Sequence, residues 1–194
     1  MSNPNVSKVE NIKDESDYLA GEIAKQLNDK SAFFKDSEVQ LLKFHGTYQQ
    51  FNRDTATELK TQGLEKEFYF MIRTKVPGGI LNAKQYIDFD DLSNQFSDKT
   101  LRITTRQTFQ FHGVIKGNLR KIINNVGQML LTTYGACGDV VRNVTTIAAP
   151  IQDVIHKKLR QDALKISSYF IPASNSYGRI WINGEKYEYK KKES

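Results

Sequence analysis

The chain has 194 residues, 39% hydrophobic and 26% charged, with 11 Phe and 9 Tyr, which is enough apolar material for one cored domain or two small ones. Lys plus Arg number 28 against 22 Asp plus Glu, a net charge of +6; that favours an anionic partner without choosing among nucleic acid, a multiply carboxylated cofactor and a small oxyanion. A single cysteine, Cys137, excludes a disulfide scaffold and leaves this chain unable to complete a thiolate-ligated metal site alone, so no metal ligand is assigned and a reducing, cytoplasmic setting is expected.

The N-terminal "MSNPNVSKVE" lacks the apolar stretch of a secretory signal. No apolar run approaches the ~20 residues that span a bilayer, so no membrane partner is expected. A helix is expected over 13–29, where Tyr18, Leu19, Ile23 and Leu27 recur at helical spacing. Residues 31–60 show no clean period and include "LLKFHGTYQQFNRD"; they are expected to form an extended arm lying on something else. "EFYFMIRTKV" at 67–76 is a strand candidate, stopped by Pro77-Gly78-Gly79. A helix fits 83–95, through Tyr86, Phe89, Leu92 and Phe96. "LRITTRQTFQFHGVI" at 101–115 is taken as one long strand, and a second helix fits 118–134, with Gly135 as its C-terminal stop.

The order β–α–β–α from 67 to 134 predicts half of a ferredoxin-like sandwich, with helices on one face of a sheet and an edge left open. The fold class is therefore α+β. The expected organisation is a helix and arm over 1–62, the half-domain over 63–136, and the start of a further α+β domain over 137–194. In that last part "ACGDVVRNVTTIAAP" carries Arg142 and Asn143, and a helix is expected near 151–170. "YGRIWING" is expected as a last strand and turn, followed by a solvated tail with Lys190–Lys192.

The strand at 101–115 carries the chemistry. Period two places Arg102, Thr104, Arg106, Thr108, Gln110 and His112 on one face. The plain reading is a solvated sheet face. Against it, the residues are Arg, Thr, Gln and His rather than a Lys/Glu mixture, no acid occurs between 101 and 138, and Arg73 and Lys75 share a face of the preceding strand. Arg102 and Arg106 would be separated by roughly 13 Å along a strand, a span suited to a ligand with several carboxylates. His112 and His45 are more simply satisfied strand or loop histidines than ligands. Phe109 and Phe111 would fall opposite the cations, so stacking and phosphate contact would not cooperate, which argues against nucleic acid.

"LLKFHGTYQQ", "MIRTKVPGG", "LRITTRQTFQFHGVIKGNL" and "GDVVRNV" follow one another as in the sirohaem-containing nitrite and sulfite reductases, and the chain resembles the haemoprotein (beta) subunit of the sulfite branch over about 14–186. The resemblance implies six-electron reduction of sulfite to sulfide at sirohaem, coupled to a 4Fe-4S cluster. By matching motifs, Arg102, Thr104, Arg106, Gln110 and His112 would hold the carboxylate fringe. Asn143 would support the macrocycle, Arg73 and Arg142 would bind the substrate anion, and His45 and Gln49 would wrap the pocket. The cluster cysteines, the lysine pair and the second ferredoxin-like half are not in this sequence, so it is expected to be an N-terminal part, inactive alone and needing a C-terminal half. The implied electron donor is a flavoprotein subunit or ferredoxin. A non-catalytic module for a tetrapyrrole or RNA, and a nitrite reductase of the same family, remain as alternatives.

Overall fold

The computed structural model describes residues 7–171 and, beyond them, the backbone of residues 181, 182, 185 and 186. The chain order is α1 (Lys8–Asp14), α2 (Ile23–Gln26), α3 (Asp36–Phe44), β1 (Thr47–Phe51), α4 (Arg53–Thr61), β2 (Phe68–Arg73), α5 (Ala83–Phe96), β3 (Leu101–Ile103), β4 (Phe109–Val114), α6 (Leu119–Gln128) and α7 (Val154–Tyr169). Two short strands, β5 (Trp181–Ile182) and β6 (Glu185–Lys186), then pair antiparallel. The rest of the "YGRIWING" segment and the Lys190–Lys192 tail lie outside the described residues.

The α+β reading holds. One four-stranded antiparallel sheet runs in the order β1-β2-β4-β3. Its inner face carries Phe70, Ile72, Phe109, Phe111 and Val114, which pack with Phe89 and Leu92 of α5 and Leu119, Ile122 and Val126 of α6. Burying side chains of this size contributes on the order of 1.5–3 kcal/mol each. α5 starts where sequence puts it, because Asn82 and Gln85 close a reciprocal capping box.

Three differences from the sequence reading have local causes. The expected helix over 13–29 is interrupted: Ser16 Oγ donates to Lys13 O and accepts from Leu19 N–H at 2.9 Å, while Asp17, Tyr18 and Leu19 all take left-handed backbone. A serine that bonds its own backbone competes with helix propagation. The arm over 31–60 is not uniformly extended, since α3 and α4 flank β1. It does lie on something: β1 pairs along β2, from Thr47 opposite Ile72 to Phe51 opposite Phe68. Finally, α6 ends at Gln128, well before Gly135. Leu130 takes the left-handed position (φ 59°) and Leu131 N–H returns to Val126 O, a C-terminal cap made with an exposed leucine instead of glycine.

The arm is fastened to the sheet by polar contacts. Gln49 Oε1 accepts from Phe34 N–H at 2.6 Å, and Phe34 meets Phe70 edge-on. Buried Lys116 donates to Asp29 Oδ1 (2.7 Å), Ser31 O (3.0 Å) and Phe33 O (3.0 Å), with its ammonium over the Phe34 ring.

Candidate anion-binding face

The long strand expected over 101–115 is a hairpin. Thr104 N–H donates to Thr108 O (2.9 Å), Gln107 N–H donates to Thr104 O (3.0 Å), and Gln107 takes left-handed backbone (φ 54°). This is a three-residue turn with its left-handed position filled by glutamine, where glycine usually signals it. Further along, β4 carries a bulge between its pairings with Phe70 and Ile72, with Gly113 at φ 64°. The extra residue brings Val114 back into the core phase after His112 has pointed the other way.

The outer face of the sheet follows from this register. Arg73 of β2 and Arg102 of β3 both sit opposite Gln110 of β4, so the three form a row across three strands. With the Gln110 amide turned to satisfy both neighbours, its oxygen accepts from Arg73 Nε (2.8 Å) and Nη2 (2.5 Å), and its nitrogen donates to His112 Nε2 (3.1 Å). His112 is then the neutral tautomer with its proton on Nδ1. Burial holds its pKa below the usual value, and the Arg102 charge adds to that against the opposing pull of Asp98.

The segment after α6 lays a second group of residues against this row. Cys137 is fully buried, and its thiol lies within hydrogen-bonding reach of Tyr48 and Arg73. Burial raises the Cys137 pKa, while Arg73 and Arg142 pull against it. Tyr48 is likewise raised, chiefly by burial, and feels both arginines. Arg142 donates through Nε to Gly138 O at 3.1 Å. Lys75 is 1% exposed, donates to Val141 O at 3.3 Å, and has its pKa lowered by desolvation. Among the described residues, none of Arg73, Lys75, Arg102, Arg106 and Arg142 forms a salt bridge.

The fold therefore gathers Arg73, Arg102, Gln110, His112 and Arg142. It does not align Thr104 and Arg106 with them as a strand would. Both sit on the hairpin, where Thr104 Oγ1 accepts from Arg106 N–H and the Arg106 side chain is exposed. The side-chain amide of Asn143 is taken up by backbone groups of Val76 and Arg106. His45 and Gln49 do not wrap this face: His45 Nε2 bonds Leu19 O, and Gln49 holds Phe34. The sequence reading missed Tyr48 and Gln107. Tyr48 had a signal, because it directly follows Thr47 at the start of β1 and so takes the opposite face.

Residues 62–129 match the family model described as the nitrite/sulfite reductase ferredoxin-like half domain. Over 92% of its length the chain is 45% identical to a "Sulfite reductase (NADPH) hemoprotein beta-component" of Staphylococcus haemolyticus, covering 31% of that protein. Over 89% of its length it is 47% identical to a "Sulfite reductase (NADPH) subunit beta" of Schizosaccharomyces pombe, covering 12% of it. The resemblance to the sulfite reductase haemoproteins is thus borne out, and the chain spans about a third of its bacterial relatives. The solved structure of the NirA protein of Mycobacterium tuberculosis shares the fold, with TM-score 0.58 and 23% identity over 72% of this chain and 27% of that one. Among the described residues, no helix is long and apolar enough to cross a membrane, and no cluster of His, Cys, Asp and Glu suits a metal ion.

Proposed function

We propose that the chain is the N-terminal part of a cytoplasmic sulfite reductase haemoprotein. In this reading its outer sheet face supplies part of a sirohaem pocket and part of the sulfite site. The observation that carries it is the gathering of Arg73, Arg102 and Arg142 from two strands and a loop, with no carboxylate partner among the described residues. Guanidinium groups with no carboxylate partner among the described residues, beside a buried thiol and a neutral histidine, suit a ligand that brings its own negative charge. The residues fit the carboxylate fringe of sirohaem. They do not fit a cysteine-ligated 4Fe-4S cluster, whose thiolates this chain with its one buried cysteine would leave to another part of the protein.

Sirohaem, when bound, supplies the electron-transferring iron and ring. The protein groups divide as follows. Arg102 and His112 would meet the fringe from the sheet, and Arg106 and Thr104 would reach it from the hairpin turn. Gln110 orients both Arg73 and His112. Arg73 and Arg142 offset repulsion between a sulfite anion and an anionic macrocycle, and polarise S–O bonds as they break. A flavoprotein subunit fits the beta-component names of the relatives as electron donor; ferredoxin is the other candidate. The RNA alternative loses support, because Phe109 and Phe111 are buried in the core and offer no stacking surface. Nitrite in place of sulfite is decided by turnover of the assembled protein.

The test is to co-express this chain with the remaining two-thirds of a bacterial relative. A sirohaem visible spectrum in the purified complex is expected, and its absence overturns the proposal. Within such a complex, Arg106→Ala should weaken cofactor retention, whereas Arg73→Ala should keep the cofactor and weaken sulfite binding. Equal cofactor loss in both variants would remove the division of roles.

A further inference from the structure

Residues 141–146 are fastened to two other segments mainly by side-chain amides. Asn143 Oδ1 accepts from Val76 N–H (2.9 Å), and its Nδ2 donates to Val76 O (2.7 Å) and Arg106 O (2.7 Å). Gln107 makes the same kind of closed pair with Thr146: its Nε2 donates to Thr146 O (2.6 Å) and its Oε1 accepts from Thr146 N–H (3.1 Å). Gly78 N–H donates to Val144 O (2.8 Å), Thr146 Oγ1 donates to Gly78 O (3.2 Å), and Lys75 reaches Val141 O. In each closed pair the side-chain amide stands in for a peptide group, as a neighbouring strand would.

The segments so joined are the ones that carry the arginines. Arg73 ends β2 three residues before Val76, Arg106 precedes Gln107 in the hairpin turn, and Arg142 precedes Asn143. Position 107 also accepts a conformational cost. It is left-handed, where glycine or asparagine is the easier choice. Gly79, itself at φ 67°, brings its backbone so close that an added Cβ would stand 2.7 Å from Gln107 Cβ. What glutamine provides there, and neither easier residue does, is an amide long enough to reach Thr146.

We infer that Gln107 and Asn143 are positioning residues that set the spacing of Arg73, Arg106 and Arg142. By holding the cations in place before a ligand arrives, they remove an ordering cost from binding. This deepens the proposed function and rests on it for the identity of the ligand, a polycarboxylate ring with a small oxyanion beside it.

Gln107→Asn is the decisive variant. Asparagine favours left-handed backbone, so the 104–108 turn is kept, but its amide is one methylene too short for Thr146. In the 194-residue chain, amide hydrogen exchange over 141–147 should accelerate about tenfold or more while β2 and β4 stay protected. Asn143→Ala, measured the same way, is the second variant. In the complex with the remaining two-thirds of a relative, Gln107→Asn should lower sirohaem affinity several-fold, and should lower it no further once Arg142 is already Ala, since coupled groups give non-additive losses. Unchanged exchange over 141–147 in both variants overturns the inference, as does a Gln107→Asn loss that adds in full to that of Arg142→Ala. A wild-type complex that takes up no sirohaem refutes the proposed function instead, and the exchange comparison then decides the positioning role by itself.

Discussion

The two faces of one sheet are built from the same strands by opposite rules. On β4, Phe109 and Phe111 turn inward against α5 and α6, while Gln110 and His112 turn outward toward Arg73 and Arg102. The inner face is closed by packing. The outer face gathers positive charge, and among the described residues none of its arginines is held in a salt bridge. The two buried lysines repeat this contrast. Lys116, on the inner side, has a carboxylate, two carbonyls and an aromatic ring around its ammonium. Lys75, under the Arg142 loop, has one carbonyl at 3.3 Å. A buried cation with a full set of acceptors holds a fold together; one with few fits a place where a ligand completes the set.

The largest expected effect lies on the inner face. Phe111 is fully buried between β2 and the helices, so Phe111→Ala should destabilise the chain by about 3–5 kcal/mol, read from urea unfolding. Next comes Lys116→Met. It keeps the stem but leaves the carbonyls of Ser31 and Phe33 without their donor, at about 1–3 kcal/mol. The loss should be accompanied by faster exchange in residues 28–35 and little change at β4. A Lys75→Met variant that proved equally damaging would erase the contrast between the two lysines.

The inner face was the legible one. Helices α5 and α6 and strand β2 follow from apolar spacing, because burial imposes a period that sequence displays. The outer face was legible in residue type but not in geometry. Arg102, Gln110 and His112 were singled out from a polar strand in an acid-free stretch, Arg73 from the face it shares with Lys75, and Arg142 from the family resemblance. Their arrangement turns on two features that sequence hides: a left-handed Gln107 in place of a turn glycine, and a bulge at Gly113 that shifts the phase of β4. A one-residue change of phase moves side chains to the other face, so an unbroken alternation over 101–115 could not be extrapolated. Asn143 was noticed for its motif, yet its partners are backbone atoms of Val76 and Arg106, which no residue pattern marks.

A smaller effect distinguishes the faces by pH. Burial lowers the pKa of His45 and, with help from Arg102, that of His112. The unfolded chain therefore binds protons more readily than the folded one as pH falls through the ordinary histidine range near ~6.5. Stability is retained above that range and declines as pH drops through it toward the folded-state values. Thermal melts from pH 7.5 downward should show this decline, and it should be shallower in a His45→Gln, His112→Gln double variant. An unchanged slope in the double variant would mean that other groups carry the acid sensitivity.

The smallest expected effect on the fold is also the sharpest test of the contrast. Arg102 is exposed, holds no salt bridge among the described residues, and shares its row with Arg73. Arg102→Ala should therefore change stability by no more than about 0.5 kcal/mol, since it removes no buried contact and relieves like-charge repulsion. Its signature belongs elsewhere. Arg102 is one of the groups holding the His112 pKa down, so in the variant the His112 titration, followed by NMR, should move upward. Burial will still keep it below the usual value, because desolvation is the larger cause. An upward shift with unchanged stability means that the outer row is an electrostatic assembly laid on a sheet that does not need it. A loss of stability comparable to that of Phe111→Ala would mean that the row is part of the fold, and the reading of this face as a ligand surface would lose its physical basis.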